Sequence, residues 1–277
     1  MIYPRAPQSH SAVADHYDEL DPIYRLLWGE HVHHGLWTNG HESVGEAVAA
    51  LSDAVGERLP TGPGKRLIDI GCGYGATARR FAARGALVTG FTLSQAQIDA
   101  APQAPNVTLA CRDWLENDLA SAVFDGAYAI ESSEHMVDKP SFFVEARRVL
   151  KAGAPLVICA WLASGQPTRW QVDHLLEPIC FEGGLPSMGD ERDYRAMAAA
   201  AGFECIDYQD LTANVARTWT ICLGRFLRAM ITKAAVRRAV LRARNRRFAL
   251  SLPRLILAYR TGAMRYGLFT FRALPST

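Results

Sequence analysis

The sequence lacks paired-cysteine motifs, long apolar runs and a recognisable signal peptide. The six cysteines lie far apart and no two have the C-x-x-C spacing, so zinc ribbons and dithiol redox motifs are not expected. No stretch reaches the roughly 18 uninterrupted apolar residues that span a bilayer. The first twenty residues lack the apolar run and cleavage site of a signal peptide. With 277 residues, 49% hydrophobic and 21% charged, we expect a reduced, cytoplasmic, globular protein.

Acidic residues are missing from the C-terminal part of the chain. All 28 Asp and Glu residues lie at or before Asp210, whereas 14 of the 30 Lys and Arg residues follow it. The net charge of +2 therefore combines an acidic first part with a basic last part. This asymmetry favours a basic element that packs on the acidic part or faces an anionic partner.

Short apolar runs alternate with helical patterns through the middle of the chain, which is typical of βαβ units in a doubly wound sheet. Strands are predicted at residues 66–70, 86–91, 107–111, 124–130, 155–161, 203–211 and 266–272. Helices are predicted at residues 41–59, 76–84, 94–101, 139–150 and 190–201, with another beginning at residue 11.

Proline and glycine clusters divide the chain into three parts. We expect a helical cap over residues 1–60, a ligand-binding core over 61–165, and the rest of the sheet over 166–277. Residues 163–189 are rich in Gly, Pro and aromatic residues and are predicted to form an excursion over the sheet. Residues 214–262 alternate apolar and arginine positions and are predicted to form a helical lid before the last strand.

A glycine-rich loop follows the first predicted strand of the core. It reads Asp-Ile-Gly-Cys-Gly-Tyr-Gly-Ala from Asp69 to Ala76, and glycines there let a ligand approach the backbone closely. A dinucleotide site is one interpretation. That interpretation needs a carboxylate about 20 residues further on, where the sequence has Phe91–Gln95 and no acidic residue before Asp99. It also leaves Asp69 without a role.

The glycine loop resembles motif I of class I S-adenosylmethionine methyltransferases. Residues 90–97, Gly-Phe-Thr-Leu-Ser-Gln-Ala-Gln, resemble the G-x-T-L-S-x-x-Q segment of the branch with cyclopropane fatty-acid synthases and the γ-tocopherol and geranyl diphosphate methyltransferases. Residues 16–18, 28–35 and 131–136 resemble the tocopherol-type members most closely. The resemblance implies an α/β, Rossmann-like class I methyltransferase fold. Its sheet would have seven mostly parallel strands with an antiparallel last strand, beneath a helical N-terminal cap and a helical lid.

The same resemblance implies how S-adenosylmethionine would be held. Asp69 would bind the ammonium group of the methionine part, and Tyr17 would close over that end. In place of the usual ribose-binding carboxylate, Thr92 and Gln97 would contact the ribose. Asp113 would accept from the adenine amino group, although a helix cap is its other interpretation. The full set of implied cofactor-binding residues is Tyr17, Asp69, Gly71, Cys72, Gly73, Thr92, Leu93, Gln97, Asp113, Trp114 and Glu131.

Two residues after the fourth core strand are candidates for catalysis. Methyl transfer is an in-line displacement that needs alignment and exclusion of water, together with a group that accepts a proton. His135 is proposed as base or orienting group, with Glu134 as its partner or as a charge stabiliser. Scaffold roles for both remain the alternative. The nearby cluster of Glu30, His31, His33 and His34 could bind a metal by residue type, but displacement requires none, and no metal is expected.

Aromatic residues are candidates for an apolar acceptor cavity. They are Tyr24, Trp28, Trp37, Trp161, Trp170 and Trp219. The predicted activity is methyl transfer to a small, aromatic or isoprenoid-like natural-product acceptor at carbon, oxygen or nitrogen. The alternative is a methyltransferase-fold protein that uses the cofactor without methylating. The arginine-rich lid is predicted to meet an anionic substrate group or a membrane surface, and no nucleic-acid partner is expected. Oligomeric state stays open, a homodimer included.

Overall fold

A seven-stranded sheet forms the centre of the molecule in the computed structural model. The strands are β1 (Arg66–Ile70), β2 (Leu87–Thr92), β3 (Val107–Cys111), β4 (Gly126–Ile130), β5 (Pro155–Ala163), β6 (Phe203–Asp210) and β7 (Met264–Ala273). Their order across the sheet is β3-β2-β1-β4-β5-β7-β6. The structure describes residues 1–9, 15, 18–19, 21, 24–26, 28–242 and 248–275.

Helices cover both faces of the sheet. They are α1 (Val44–Gly56), α2 (Ala76–Ala82), α3 (Gln95–Ala100), α4 (Lys139–Val149), α5 (Glu177–Glu182), α6 (Glu191–Ala200), α7 (Arg217–Thr232), α8 (Ala234–Arg242) and α9 (Phe248–Arg260). Short 3₁₀ turns lie at Trp114–Glu116 and Ser133–His135. Helix α1 begins at Ser43 with a capping box that Glu46 completes. The predicted start of a helix at residue 11 lies outside the described residues.

The sheet has the predicted mixed topology. Strands β1 to β5 pair in parallel, with β1 between β2 and β4. The Leu-Ile-Asp-Ile run of β1 is buried, as expected for a parallel sheet with helices on both faces. Strand β7 runs antiparallel to both β5 and β6. The expected seven-stranded class I methyltransferase fold is therefore confirmed. Since β1 and β4 are neighbours and parallel, the segments that follow their carboxyl ends meet at the same edge of the sheet.

The segment between β5 and α6 is more helical than expected. Where the sequence predicts an excursion, the chain forms a continuous helical run made of Arg169–Gln171, a π-helical turn Val172–Leu176, and α5. Pro178 lies in the first turn of α5, and proline cannot donate to the preceding turn. The π-helical turn before Pro178 accommodates the missing backbone N–H. The period of apolar positions is interrupted there, so the sequence does not predict one continuous helix.

The lid lies between two adjacent strands. The chain leaves the sheet at the end of β6, forms a short helix at Thr212–Val215 and then α7, α8 and α9, and returns along β7. Trp219 of α7 and Leu252 and Tyr259 of α9 join the hydrophobic core on that side of the sheet. Within the described part of the chain, no helix is long and apolar enough to cross a membrane.

Candidate functional site

A cavity with most of the predicted site residues in its lining lies at the carboxyl edge of the sheet. It is bounded by the loops after β1, β2, β3 and β4. The cofactor-binding residues predicted from sequence and found in its lining are Asp69, Gly71, Cys72, Gly73, Thr92, Leu93, Gln97, Asp113, Trp114 and Glu131. Tyr17, the remaining one, lies outside the described residues. The fold thus brings the ten described members of the set to one cavity.

The glycine loop needs its glycines for two different reasons. Gly71 has φ +85°, and a Cβ there would lie 2.2 Å from the Ser132 Cβ, so the approach of the β4 loop excludes a side chain. Gly73 has φ +54°, and a Cβ there would meet no atom within 4 Å. Gly73 therefore faces open space, and its backbone is accessible to a ligand in the cavity.

Asp69 is a buried carboxylate with unused hydrogen-bonding capacity. Its side chain is 3% exposed, and its Oδ2 has no hydrogen-bond partner among the described residues. Burial raises the pKa of Asp69 to about 7, against the lowering effect of the Tyr128 hydroxyl beside it. A buried carboxyl oxygen that is left unpaired is destabilising on its own. This geometry suits a cationic ligand group that completes the hydrogen bonding of Asp69.

The loop after β2 places an uncharged polar pair in the lining. Thr92 Oγ1 donates to Gln97 Oε1 at 2.6 Å, and the Ser94 backbone N–H donates to Thr92 Oγ1 at 3.3 Å. The Ser94 side chain caps α3 and thereby orients Gln97 toward the cavity. Hydroxyl and amide groups in this place can bind sugar hydroxyls without a charge.

The loop after β3 supplies one polar and one aromatic wall. Asp113 Oδ1 accepts from the Leu115 backbone N–H at 2.8 Å and so caps the 3₁₀ turn that follows. The helix-cap interpretation of Asp113 is therefore observed; because Asp113 also lines the cavity, its contact with the adenine amino group stays a prediction. Trp114 is 2% exposed and donates from Nε1 to the Phe142 carbonyl at 3.2 Å, which fixes its ring as a wall of the cavity.

The N-terminal segment is attached to two sides of this cavity. Tyr74, in the glycine loop, donates from its hydroxyl to Asp21 Oδ1 at 2.6 Å. Asp18 accepts from the Ser94 hydroxyl beside the β2 loop. The described residues of the cap therefore tie to the glycine loop and to the start of α3, across the cavity that lies between them.

A second, smaller cavity adjoins the first. It lies between the cap, the lid and α5. Its lining consists of Tyr24, Trp28, Val32, Glu131, His135, Trp161, Ile179, Gly183, Trp219, Ser251 and Leu255. Val32, Glu131 and His135 line both cavities. The two cavities therefore have a common wall at these three residues, which we call the junction.

The wall of the second cavity is an unbroken series of aromatic rings. Tyr24 contacts Trp28 with ring centroids 5.4 Å apart, Trp28 contacts Trp219 at 6.0 Å, and Trp219 contacts Trp161 at 5.2 Å. The last two contacts are edge-to-face, an arrangement that aromatic pairs favour. Of the other two predicted acceptor residues, Trp37 lines a separate small cavity and Trp170 is half exposed.

Glu131 is the charged residue of the junction. Its carboxylate accepts from His34 Nδ1 at 2.9 Å, from Trp161 Nε1 at 2.9 Å and from the Tyr266 hydroxyl at 2.7 Å, and also from the His34 backbone N–H. Burial alone would raise the pKa of Glu131, but the charge and hydrogen bonds of His34 outweigh it and lower the pKa to about 2. Glu131 has φ +54°, an uncommon conformation for a side chain of this size.

His135 and Glu134 occupy different environments despite being adjacent. His135 lines both cavities, as the proposed role near the methyl group requires. Glu134 lies in the lining of neither; it is 1% exposed, and its Oε1 accepts from the Trp161 backbone N–H at 2.5 Å. Burial raises the pKa of Glu134 to about 8, against the lowering effect of that hydrogen bond. In this structure Glu134 therefore supports β5 through that hydrogen bond, and its catalytic role stays a prediction.

The histidine cluster has internal contacts. His31 Nδ1 lies 3.1 Å from His33 Nε2, and His33 Nδ1 lies 2.8 Å from the His34 carbonyl. Burial lowers the pKa of His33 and lowers that of His31 to about 3. Burial therefore favours the neutral form of both rings. Among the residues that the structure describes, no group of three or more His, Cys, Asp and Glu side chains is arranged to hold a metal ion.

Comparison with known proteins identifies the family. The family model described as mycolic acid cyclopropane synthetase matches residues 5–253. The chain belongs to this family. It is 32% identical to 27-O-demethylrifamycin SV methyltransferase of Amycolatopsis mediterranei, over 76% of this chain and 80% of that protein. It is 30% identical to a probable chloroplastic tocopherol O-methyltransferase of Oryza sativa, over 98% of this chain and 80% of that protein.

Solved structures share the fold of this cyclopropane-synthetase family member. The mycolic acid cyclopropane synthase CmaA1, solved with SAH and CTAB, superposes with a TM-score of 0.84 at 21% identity, covering 96% of this chain and 99% of that one. The predicted family is confirmed, and the chain is an S-adenosylmethionine-dependent methyltransferase. The residues present fit this cofactor, because Asp69 has an unpaired buried oxygen and Gly73 faces open space.

Proposed function

We propose that the enzyme methylates an oxygen atom of a small hydrophobic acceptor, aromatic or isoprenoid-like, bound in the second cavity. The observation that carries this proposal is the junction, where Val32, Glu131 and His135 line both cavities. The aromatic walls suit a planar or prenylated molecule. Two relatives support oxygen as the acceptor atom: their names are 27-O-demethylrifamycin SV methyltransferase and probable tocopherol O-methyltransferase.

The residues of the first cavity would hold the cofactor, which supplies a methyl group on a positively charged sulfur. Asp69 would pair with an ammonium group, Gly71 and Gly73 would offer backbone contacts, and Thr92 with Gln97 would bind hydroxyl groups. The buried walls of both cavities exclude water, and displacement depends on that exclusion and on alignment. His135, at the junction, would accept the proton that a hydroxyl group loses.

A turnover screen tests this proposal. The purified enzyme is supplied with isotopically methyl-labelled S-adenosylmethionine and with panels of phenols, prenylated alcohols and amines, and products are analysed by mass spectrometry. We expect one labelled methyl group on an oxygen of a phenol or prenylated alcohol. A product of unchanged composition, formed only when the cofactor is present, would instead support the alternative in which the protein uses the cofactor without methylating.

We propose in addition that the lid meets an anionic membrane surface. Leu227 and Ile231 of α7 are 52% and 79% exposed, and Arg228, Lys233 and Arg237 are exposed beside them in sequence. Exposed apolar residues among cations are typical of helices that lie on anionic lipid.

Vesicle co-sedimentation tests the membrane proposal. We expect binding to phosphatidylglycerol vesicles that 0.5 M salt weakens, and little binding to phosphatidylcholine. Ile231→Ser should reduce the bound fraction severalfold. Val144→Ser, which changes a similarly exposed residue on α4, serves as the control. Equal binding of the two variants would contradict the proposal.

A reducing, cytoplasmic compartment is the proposed location. All six cysteines are free thiols, and four of them are buried. Proteins with unpaired thiols in this number are typical of compartments that keep cysteine reduced. Fractionation of the producing cells, followed by immunodetection, would test it.

A further inference from the structure

The described lining of the second cavity contains no basic side chain of the lysine or arginine type, although the lid beside it is rich in arginine. Among the described residues of its lining, Glu131 is the carboxylate. The lining also holds aromatic rings, aliphatic side chains, His135 and Ser251. The described part of the lining therefore offers no lysine or arginine as counter-charge to a phosphate or carboxylate.

Two arginines of the lid, Arg254 and Arg217, use their guanidinium groups for contacts within the protein. Arg254 follows a proline inside α9 and is one residue from Leu255, which lines the cavity, yet its guanidinium pairs with Glu182 and donates to the His174 carbonyl. Arg217 donates to the Gly40 carbonyl and lies over the Trp37 ring. These cations therefore hold the lid in place rather than face the acceptor.

The Glu131 carboxylate is already saturated by protein donors. It accepts from four groups, namely the backbone N–H and Nδ1 of His34, Trp161 Nε1 and the Tyr266 hydroxyl. It is therefore not available for a direct ion pair with an acceptor. Glu131 thus contributes a carboxylate that is committed to the protein, and no cation, to the wall of the second cavity.

We infer that the acceptor is an uncharged, hydroxyl-bearing molecule, and that the second cavity excludes acceptors carrying a diphosphate or carboxylate group. This inference rests on the proposed function, because it takes the second cavity as the acceptor site. It narrows that function by separating free phenols and prenylated alcohols from prenyl diphosphates. The aromatic walls contribute to acceptor binding through van der Waals contact and edge-to-face packing. Neither interaction requires a charged acceptor.

Tryptophan fluorescence can measure acceptor binding without turnover, because three tryptophans line the cavity. The enzyme saturated with S-adenosylhomocysteine is titrated with two matched pairs: geraniol against geranyl diphosphate, and 4-hexylphenol against 4-hexylbenzoate. We expect quenching with a Kd at least tenfold lower for the neutral member of each pair. Equal or tighter binding of the charged member, or no quenching by either neutral compound, would overturn the inference.

Variants locate the quenching in the cavity. Trp161→Phe should remove a large part of the signal, whereas Trp170→Phe, which changes a half-exposed tryptophan outside the cavity lining, should leave the titration midpoints unchanged. Leu255→Arg places a cation in the lining and should shift selectivity toward geranyl diphosphate at least tenfold. Leu257→Arg, at an exposed position of the same helix, should not. If Leu255→Arg does not fold, the titrations of the wild-type enzyme with the two matched pairs of compounds still test the inference.

Failure of this inference differs from failure of the proposed function. Selective quenching by neutral compounds with no labelled product in the turnover screen would leave the inference standing and reject methylation. Methylation of geranyl diphosphate, added to that screen as a further acceptor, would support methyl transfer and reject the inference.

Discussion

At the scale of single residues, Asp69 shows how the site sacrifices stability for binding. Its carboxylate is buried with one oxygen unpaired among the described residues, and burial raises its pKa to about 7. The folded protein therefore holds this proton at pH values where the unfolded chain, with a pKa near 3.9, has released it. The contribution of Asp69 to stability consequently declines as pH rises from about 4 to about 7.

Asp69→Asn should abolish cofactor binding and stabilise the cofactor-free protein. We expect the free energy of unfolding at pH 7.5 to rise by about 1–3 kcal/mol, the usual penalty of an unsatisfied buried group. The difference from wild type should shrink toward pH 4. Urea denaturation at several pH values measures this, and calorimetry with S-adenosylhomocysteine measures binding. A variant that binds the nucleoside as tightly as wild type would contradict the role of Asp69.

His135→Ala should lower kcat by a factor of about 10²–10⁴, the range for loss of a general base. Binding of S-adenosylhomocysteine should change little, because the loss concerns proton transfer. The matched control is Glu134→Gln. Glu134, with its pKa raised to about 8, is protonated at neutral pH, so the amide reproduces its charge and nearly its shape. Steady-state kinetics of both variants decide the assignment, and a large fall in kcat for Glu134→Gln would restore a catalytic role there.

The difference between Glu131 and Glu134 shows what the sequence could not resolve. Both carboxylates lie in a segment that resembles the family, and either could face the cofactor. The folded backbone sets the direction of each side chain. Glu131 has a positive φ, and its side chain lies among His34, Trp161 and Tyr266. Glu134 instead satisfies the backbone of β5. Contacts with residues so distant in sequence are invisible without the fold.

At the scale of elements, the lid depends on a few polar anchors. Arg254 of α9 pairs with Glu182 at the end of α5, and the Glu182 side chain is only 5% exposed. Removing one partner of a buried pair leaves an uncompensated charge in the interior, which costs more than the pair itself contributes. The anchor therefore fixes α9 against α5, the two elements that form one side of the second cavity.

Arg254→Met should lower the free energy of unfolding by about 2–4 kcal/mol. Combining it with Glu182→Met should restore much of that loss, because the second change removes the buried charge. Urea denaturation of the single and double variants measures both effects. Arg260→Met, at the exposed end of the same helix, is the control and should stay within about 0.5 kcal/mol of wild type.

Element prediction succeeded where periodicity was simple. Strands β1 and β3 lie at the predicted residues, since short apolar runs bounded by Gly or polar residues indicate buried strands. The helical run from Arg169 to Glu182 was predicted only as an excursion. A π-helical turn and Pro178 break the 3.6-residue period there, so the pattern of apolar positions does not indicate a helix.

At the scale of the whole molecule, the first cavity joins parts of the chain that are distant in sequence. The cap reaches it through Asp18 and Asp21, and the core supplies the loops after four strands. A ligand that bridges these parts stabilises only the folded state. The overall fold follows from the alternation of strands and helices in the sequence, whereas the pairing of two cavities depends on how cap and lid pack.

S-adenosylhomocysteine at a concentration 100 times its Kd should raise the free energy of unfolding by about 2.7 kcal/mol. Denaturation by urea with and without the nucleoside measures the gain, which should grow with the logarithm of its concentration. Asp69→Asn at the same concentration should show no gain. Stabilisation of that variant equal to wild type would place the nucleoside elsewhere.

The position of the lid has a consequence for how this enzyme could diversify. Strands β6 and β7 are antiparallel neighbours, and Asp210 lies opposite Gly267 where the chain leaves and rejoins the sheet. Everything between them is in effect one long hairpin loop. Replacing it by a foreign segment would change the second cavity, to which Trp219, Ser251 and Leu255 contribute, whereas the described lining of the first cavity contains no residue of the lid. Exchange of one contiguous stretch of the gene could thus change the acceptor specificity of the enzyme.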